Sequence, residues 1–210
     1  VRYGGIVVAL TLAVAIVPGA SKGSVTSQAN ARRAAFKDVV VSPSGRIGPI
    51  NGRYLRMNRA TQANVIKAEK RKPDWKGKVA GRSGMVATAF EYRMRISGSK
   101  KVCTRSYQFP FGTRKLSDFE SDCRYLRTSA GIRVGMSAVK AEAFAGQKAE
   151  YSPDLGHQCT IEGYGIAKQS GSNWLVVWMK KYGDLSTSRY GPAVKIQLYG
   201  AHSTWWDACA

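Results

Sequence analysis

The side chains in this chain best suited to metal or nucleophile chemistry are His157, Cys159, His202 and Cys209, with Cys103 and Cys123 upstream of them. Two imidazoles and two thiolates are zinc ligands in kind. Their spacing is not that of a structural zinc site, where ligands come as tight C-x2–4-C or H-x3–5-H pairs. In an oxidising compartment the same four sulfurs form disulfides, and a cystine is neither a nucleophile nor a thiolate ligand. No Gly-x-Ser-x-Gly, HExxH or phosphate-cradling glycine loop occurs. The nearest acid pair, Glu120 and Asp122, reads as solvent-facing rather than as a paired acid and base. The expectation is a non-enzymatic protein with no metal and no cofactor; a metal-dependent hydrolase is the least favoured alternative.

The compartment follows from the first residues. Arg2 precedes an uncharged apolar run from Ile6 to Val17, Pro18-Gly19 ends it, and Ala29-Asn30-Ala31 offers a small-x-small cleavage site. That pattern is a secretory signal peptide over 1–31. The run is shorter than the roughly 20 residues a bilayer core requires, so cleavage is favoured over a retained anchor. No cysteine follows it to carry a lipid. The expected location is therefore secreted or extracytoplasmic, within the cell envelope, where disulfides persist.

Charge is the strongest compositional signal. The 210 residues carry 33 Lys+Arg against 13 Asp+Glu, a formal +20. Such an excess repels itself and is tolerated when the working partner is anionic. An acidic protein or an anionic polymer, whether cell wall or nucleic acid, is the expected partner class. A basic composition without a selected partner accounts for the same numbers.

The elements are organised by two headers. Ile132-Arg133-Val134-Gly135-Met136-Ser137 runs into Ala138 to Gly146 as an extended lead-in, a glycine turn, an N-cap serine and an alanine-rich helix stopped by glycine. Leu55 to Ala60, running into Thr61 to Ala68, is a blurred copy. There Asn58 is the expected N-cap of a helix from about Ala60 to Lys70, with Ala63 and Ile66 inward. Alternating strands follow each header. Val86, Thr88, Phe90, Tyr92, Met94 and Ile96 share one face of the clearest strand, with Glu91, Arg93 and Arg95 on the other. A return strand over Val102 to Phe109 and a third over Lys115 to Phe119 complete the first set. Strands at Trp174 to Met179 and Ala193 to Tyr199 belong to the second.

The expected fold is thus α+β: two tandem units, 46–126 and 127–210, each a short helix on a small antiparallel sheet. A flexible linker over 32–45 precedes them, with Val39-Val40-Val41 as its end or as a short edge strand. The repeat puts two cysteines in each unit, which selects Cys103–Cys123 and Cys159–Cys209 from three pairings. The candidate binding surface comprises Tyr107, Phe109, Phe111, Arg93, Arg95, Trp205 and Trp206, aromatics and arginines of the kind that dominate interface hot spots. Trp174 and Trp178 share a strand face and are assigned to the core.

Ile132-x-Val134-Gly135-Met136-Ser137 with its helix and closing glycine resembles the repeat of the β-lactamase-inhibitor-protein family and related outer-membrane assembly lipoprotein modules. The resemblance implies two helix-loop-helix units whose four-stranded sheets line up into one concave face, with a disulfide in each unit. It also implies an inhibitor-like binding role. The first header departs from the pattern, with Asn58-Arg59 in place of Gly-Met. From residues and resemblance together, the expected function is a secreted binding module with a basic, aromatic-bearing sheet face; electrostatic capture of an anionic polymer is the alternative.

Overall fold

A computed structural model describes residues 39–80, 86–95, 101–151, 163–182 and 189–201. The fold is α+β, with two helices and two open sheets among the described residues. The smaller sheet contains β1 (Val39–Val41), β2 (Arg46–Ile50), β3 (Arg53–Arg56) and β8 (Leu126–Thr128), in the order β3-β2-β1-β8. Val39–Val41 is not a sheet edge. It pairs antiparallel with β2 on one side and parallel with β8 on the other, and Val39 and Val41 are buried. Three consecutive β-branched residues suit a strand enclosed in this way.

The larger sheet has eight strands, antiparallel throughout. Its first meander is β4 (Trp75–Ala80), β5 (Val86–Arg95), β6 (Val102–Pro110) and β7 (Asp118–Ser121). Its second is β9 (Glu150–Tyr151), β10 (Tyr164–Ser170), β11 (Asn173–Tyr182) and β12 (Arg189–Tyr199). The last strands of the two meanders pair in the middle, giving the order β4-β5-β6-β7-β12-β11-β10-β9. Helix α1 (Gln62–Glu69) precedes the first meander and α2 (Ala138–Ala145) the second.

Both helices begin and end on recognisable chemistry. Thr61, not Asn58, caps α1: its hydroxyl accepts the Asn64 N–H while the Asn64 side chain takes the Thr61 N–H, a capping box. Asn58 lies earlier, in the left-handed region at φ +59. The inward face of α1 is Val65, Ala68 and Glu69; Ala63 faces outward and Ile66 is half-buried. Ser137 and Gly146 bracket α2 as expected, Gly146 with positive φ and its N–H on the Glu142 carbonyl. The Ser137 side chain makes no capping hydrogen bond. Among the described residues no helix is long and apolar enough to cross a membrane.

One face of the large sheet supplies the core. Phe90, Tyr107, Phe119, Leu198 and Leu175 stand opposite one another across five strands. They pack in a single cluster with Val65 and Ala68 of α1, Ala141 of α2 and the small sheet's Val41, Ile47, Ile50 and Leu126. Each fully buried large side chain contributes about 1.5–3 kcal/mol. Because the cluster spans both meanders, the two sets of strands share the main core. Cys103 and Cys123 form the expected disulfide, tying β6 to the segment after β7 beside Met94. Cys159 and Cys209 lie outside the described residues, as do residues 1–38 with the expected signal segment.

Candidate binding face

The opposite face of the large sheet is the one turned away from α1 and α2, and cross-strand pairing fixes what it presents. One row runs Trp75, Glu91, Ser106, Glu120, Gln197, Val176, Ala167. The next runs Gly77, Ala89, Gln108, Asp118, Tyr199, Trp174, Gln169. Arg93 and Arg95 share this face, two and four residues along β5 from Glu91, opposite Thr104 and Val102. Period-two alternation places every one of these side chains away from the main core.

At one edge the face carries an exposed tryptophan that lies over its own strand. A Cβ on Gly77 would stand 2.2 Å from Trp75 Cζ2, so the indole lies across the backbone of its own strand and only glycine leaves room for it. Trp75 remains 38% exposed, and Val102, 49% exposed, lies at the Arg95 corner. Arg93 and Arg95 are exposed, with Arg93 3.4 Å from Glu91.

Toward the centre the face is buried and hydrogen-bonded. Trp178 Nε1 donates to Gln197 Oε1 at 2.9 Å, and Gln197 Nε2 reaches Asp118 Oδ1 at 3.5 Å. Val176, Trp178 and Tyr199 form a second apolar cluster with Trp174 and Ala167 packed on it. Burial pushes the Tyr199 phenol well above its ordinary value, and the Asp118 and Glu120 carboxylates push it further. Lys195 pairs with Glu120 at 3.1 Å. Both are partly exposed, so the pair fixes geometry more than it stabilises the fold. Glu91, Asp118 and Glu120 thus share this face with Arg93, Arg95 and Lys195, and its net charge is small compared with that of the whole chain.

The residues singled out from sequence separate in space. Tyr107 and Phe109 are enclosed in the main core, because they alternate with Ser106 and Gln108 toward the helix side. Phe111, just past β6, is exposed. Arg93 and Arg95 lie on the outward face. Trp205 and Trp206 are outside the described residues, as are His157, Cys159, His202 and Cys209. Trp174 and Trp178 do share a face, but it is the one opposite the main core, and they belong to the second cluster. Trp75, Asp118, Lys195 and Gln197 were missed, and Glu120, read as a solvent-facing acid, is partly exposed beside Lys195. Their signal was readable: in 118–121 and 195–199 polar residues alternate with Phe119, Ile196 and Leu198.

The other ionisable groups serve packing. Glu69 at the end of α1 accepts hydrogen bonds from Tyr107 (2.6 Å) and Arg105 (2.9 Å), with all three buried. Glu142 of α2 accepts from Tyr190, from the Ala149 N–H and from Lys148. Burial pushes the Glu142 carboxyl up, and those three donors more than offset it, leaving it below its ordinary range. Cys103, Asp122 and Cys123 sit close enough to suggest a metal site. Both sulfurs are in the disulfide, and Asp122 Oδ1 already takes the Thr104 N–H at 2.6 Å. Glu120 and Asp122 are engaged with Lys195 and Thr104, so they do not form an acid pair.

No family model matches this chain, and neither curated proteins nor solved structures show a significant similarity to it.

Proposed function

We propose that this chain is an exported, non-enzymatic protein-binding module that engages an acidic partner through the outward face of its large sheet. The observation that carries the reading is Trp75, lying over Gly77 with Arg93, Arg95 and Val102 on the same face. A half-exposed tryptophan on the same face as two exposed arginines is the side-chain set in which interface hot spots are enriched. The carboxylates of Glu91, Asp118 and Glu120 on the same face favour a protein over a polyanion, since a polymer binder needs one sign of charge along its track.

A tandem-unit architecture accompanies this reading. Asn58 and Gly135 both have positive φ, and their N–H groups donate to Leu116 and Ala193 carbonyls respectively, each at 2.7 Å. Leu116 and Ala193 return the bond to Ala60 and Met136. A step of 77 residues separates Asn58 from Gly135 and also Leu116 from Ala193. The same step maps Phe119, Glu120 and Ser121 onto Ile196, Gln197 and Leu198. These segments pair as Phe119 with Leu198, Glu120 with Gln197 and Ser121 with Ile196. That register is the one expected of two equivalent strands meeting about a local two-fold. It supports two units joined through their last strands, as the resemblance to the β-lactamase-inhibitor-protein family implies.

The test is capture of extracellular proteins by the purified chain and by Trp75→Ala and Arg93→Glu/Arg95→Glu variants, alongside retention on heparin. A specific partner lost by both variants at constant heparin retention is the expected result. Binding to polyanions alone, collapsing from low to moderate salt and unaffected by Trp75→Ala, would support the polymer-binding alternative instead.

A further inference from the structure

On the helix side of the sheet, away from the proposed binding face, a cleft of about 620 Å³ opens between the start of α1, the ends of β5 and β6 and the turn after β6. That volume lies within the range of small-ligand sites. Phe109 and Phe111 give it an aromatic wall, the first buried and the second 46% exposed. Arg114 and Lys115 line it and are exposed, and Thr61 contributes at the helix start. Lys78 places its ammonium 5.5 Å from the Phe111 ring centroid, a third cation beside the opening. Among the described residues that line it, none is acidic. An aromatic wall beneath uncompensated positive charge selects a ligand that is apolar at one end and anionic at the other.

We propose that this cleft binds a small amphipathic anion: a flat aromatic body, seated on Phe111 above the buried Phe109, bearing one carboxylate or phosphate held by Arg114, Lys115 and Lys78. The aromatic wall provides burial for the body, and the cations provide the preference for a charged head. Arg114 is in the left-handed region at φ +53, so Arg114→Gly removes the charge at a position glycine adopts freely. Lys115 meets Thr61 through its backbone in an isolated bridge, which Lys115→Gln leaves in place.

The experiment titrates the whole chain with 1-naphthoate, 1-naphthyl phosphate, 1-naphthalenemethanol and inorganic phosphate, following amide shifts by NMR. The expected result is saturable binding of at least one naphthyl anion, with shifts at Thr61, Ala63 and Thr113. The neutral alcohol and bare phosphate should each bind about tenfold more weakly or worse, a difference of about 1.4 kcal/mol. Whichever naphthyl anion binds more tightly identifies the head group. Arg114→Gly/Lys115→Gln and, separately, Phe111→Ser should each weaken that anion by a similar factor while leaving the shifts of distant core amides unchanged. No saturation by either anion in the millimolar range, equal affinity for the alcohol, or shifts confined to the Trp75 face would each overturn the proposal.

Discussion

Asn58 and Gly135 both have positive φ before the two helices, at +59 and +89, and each donates its N–H to a carbonyl 2.7 Å away, on Leu116 and Ala193 respectively. A Cβ in this region costs about 1–2 kcal/mol, which asparagine offsets in part through local polar contacts. At Asn58 the side-chain amide also reaches Asn173 Oδ1 at 3.3 Å. Asn58→Gly should therefore leave stability within about 1 kcal/mol of the parent, whereas Asn58→Val should cost about 2 kcal/mol. Gly135→Ala should cost about 1 kcal/mol, because the nearest obstruction is the flexible Arg124 side chain and the φ is the main penalty. Urea unfolding monitored by tryptophan fluorescence measures all three; a well-tolerated Asn58→Val would mean that this turn relaxes to another conformation.

That equivalence also shows how far the sequence can be followed. Gly135, Ser137 and Gly146 each announce one conformation, and the second header was legible for that reason. Asn58 announces two, since asparagine favours both helix caps and the left-handed region. The cap expected there sits three residues on, at Thr61. The strands were legible from alternation at Val86 to Arg95. The pairing of β7 with β12 was not, because nothing local in Asp118–Ser121 specifies a partner more than seventy residues away. This non-local pairing also explains the tryptophans. Trp174 and Trp178 alternate with Leu175 and Val177, and both faces of β11 are apolar, so periodicity alone does not say which face meets the helices. Val39–Val41 was underrated for a related reason: its partner β8 is a parallel strand far along the chain.

Glu69 and Arg105 form a buried pair at 2.9 Å, with Tyr107 on the second carboxylate oxygen. Removing one member leaves a charge without compensation in the core, which costs about 3–5 kcal/mol. Glu69→Ala should lower stability by that amount. Glu69→Ala/Arg105→Met should recover a large part of it, because the stranded guanidinium is gone. A double-mutant cycle in urea tests this, and additive losses would show that the two charges are not coupled.

The Cys103–Cys123 link closes a loop of 20 residues. In the chain-entropy model such a loop contributes about 3 kcal/mol. Reduction, or Cys103→Ala/Cys123→Ala, should lower stability by about that amount while β5 and β6 stay paired. Peptide mapping of the oxidised protein should show Cys103 linked to Cys123 and, as the two-unit reading requires, Cys159 linked to Cys209. A link from Cys103 or Cys123 to either of the other two would contradict both the structure and that reading.

Glu142 and Tyr190 make stability sensitive to pH at both ends of the scale. For Glu142, burial works to raise the carboxyl, but the Tyr190 hydroxyl, the Ala149 N–H and Lys148 hold it below its ordinary range. The unfolded state therefore takes up a proton first as pH falls. The contribution of this group is present above about 4.3, the unfolded value for glutamate, and is lost as pH drops through the lower folded value. For Tyr190 the hydrogen bond to Glu142 is the main cause that pushes the phenol up to about 12, with burial adding to it. An acid whose folded value is raised gives the opposite dependence: its contribution is present below about 10 and is lost as pH rises from there through about 12. Tyr190→Phe removes the alkaline dependence directly and, by taking away one donor, raises the Glu142 carboxyl. The variant should therefore show a flatter alkaline limb and an acid transition moved to higher pH. Urea unfolding at a series of pH values reads both limbs; an unchanged acid transition would mean that Ala149 and Lys148 alone hold the carboxylate.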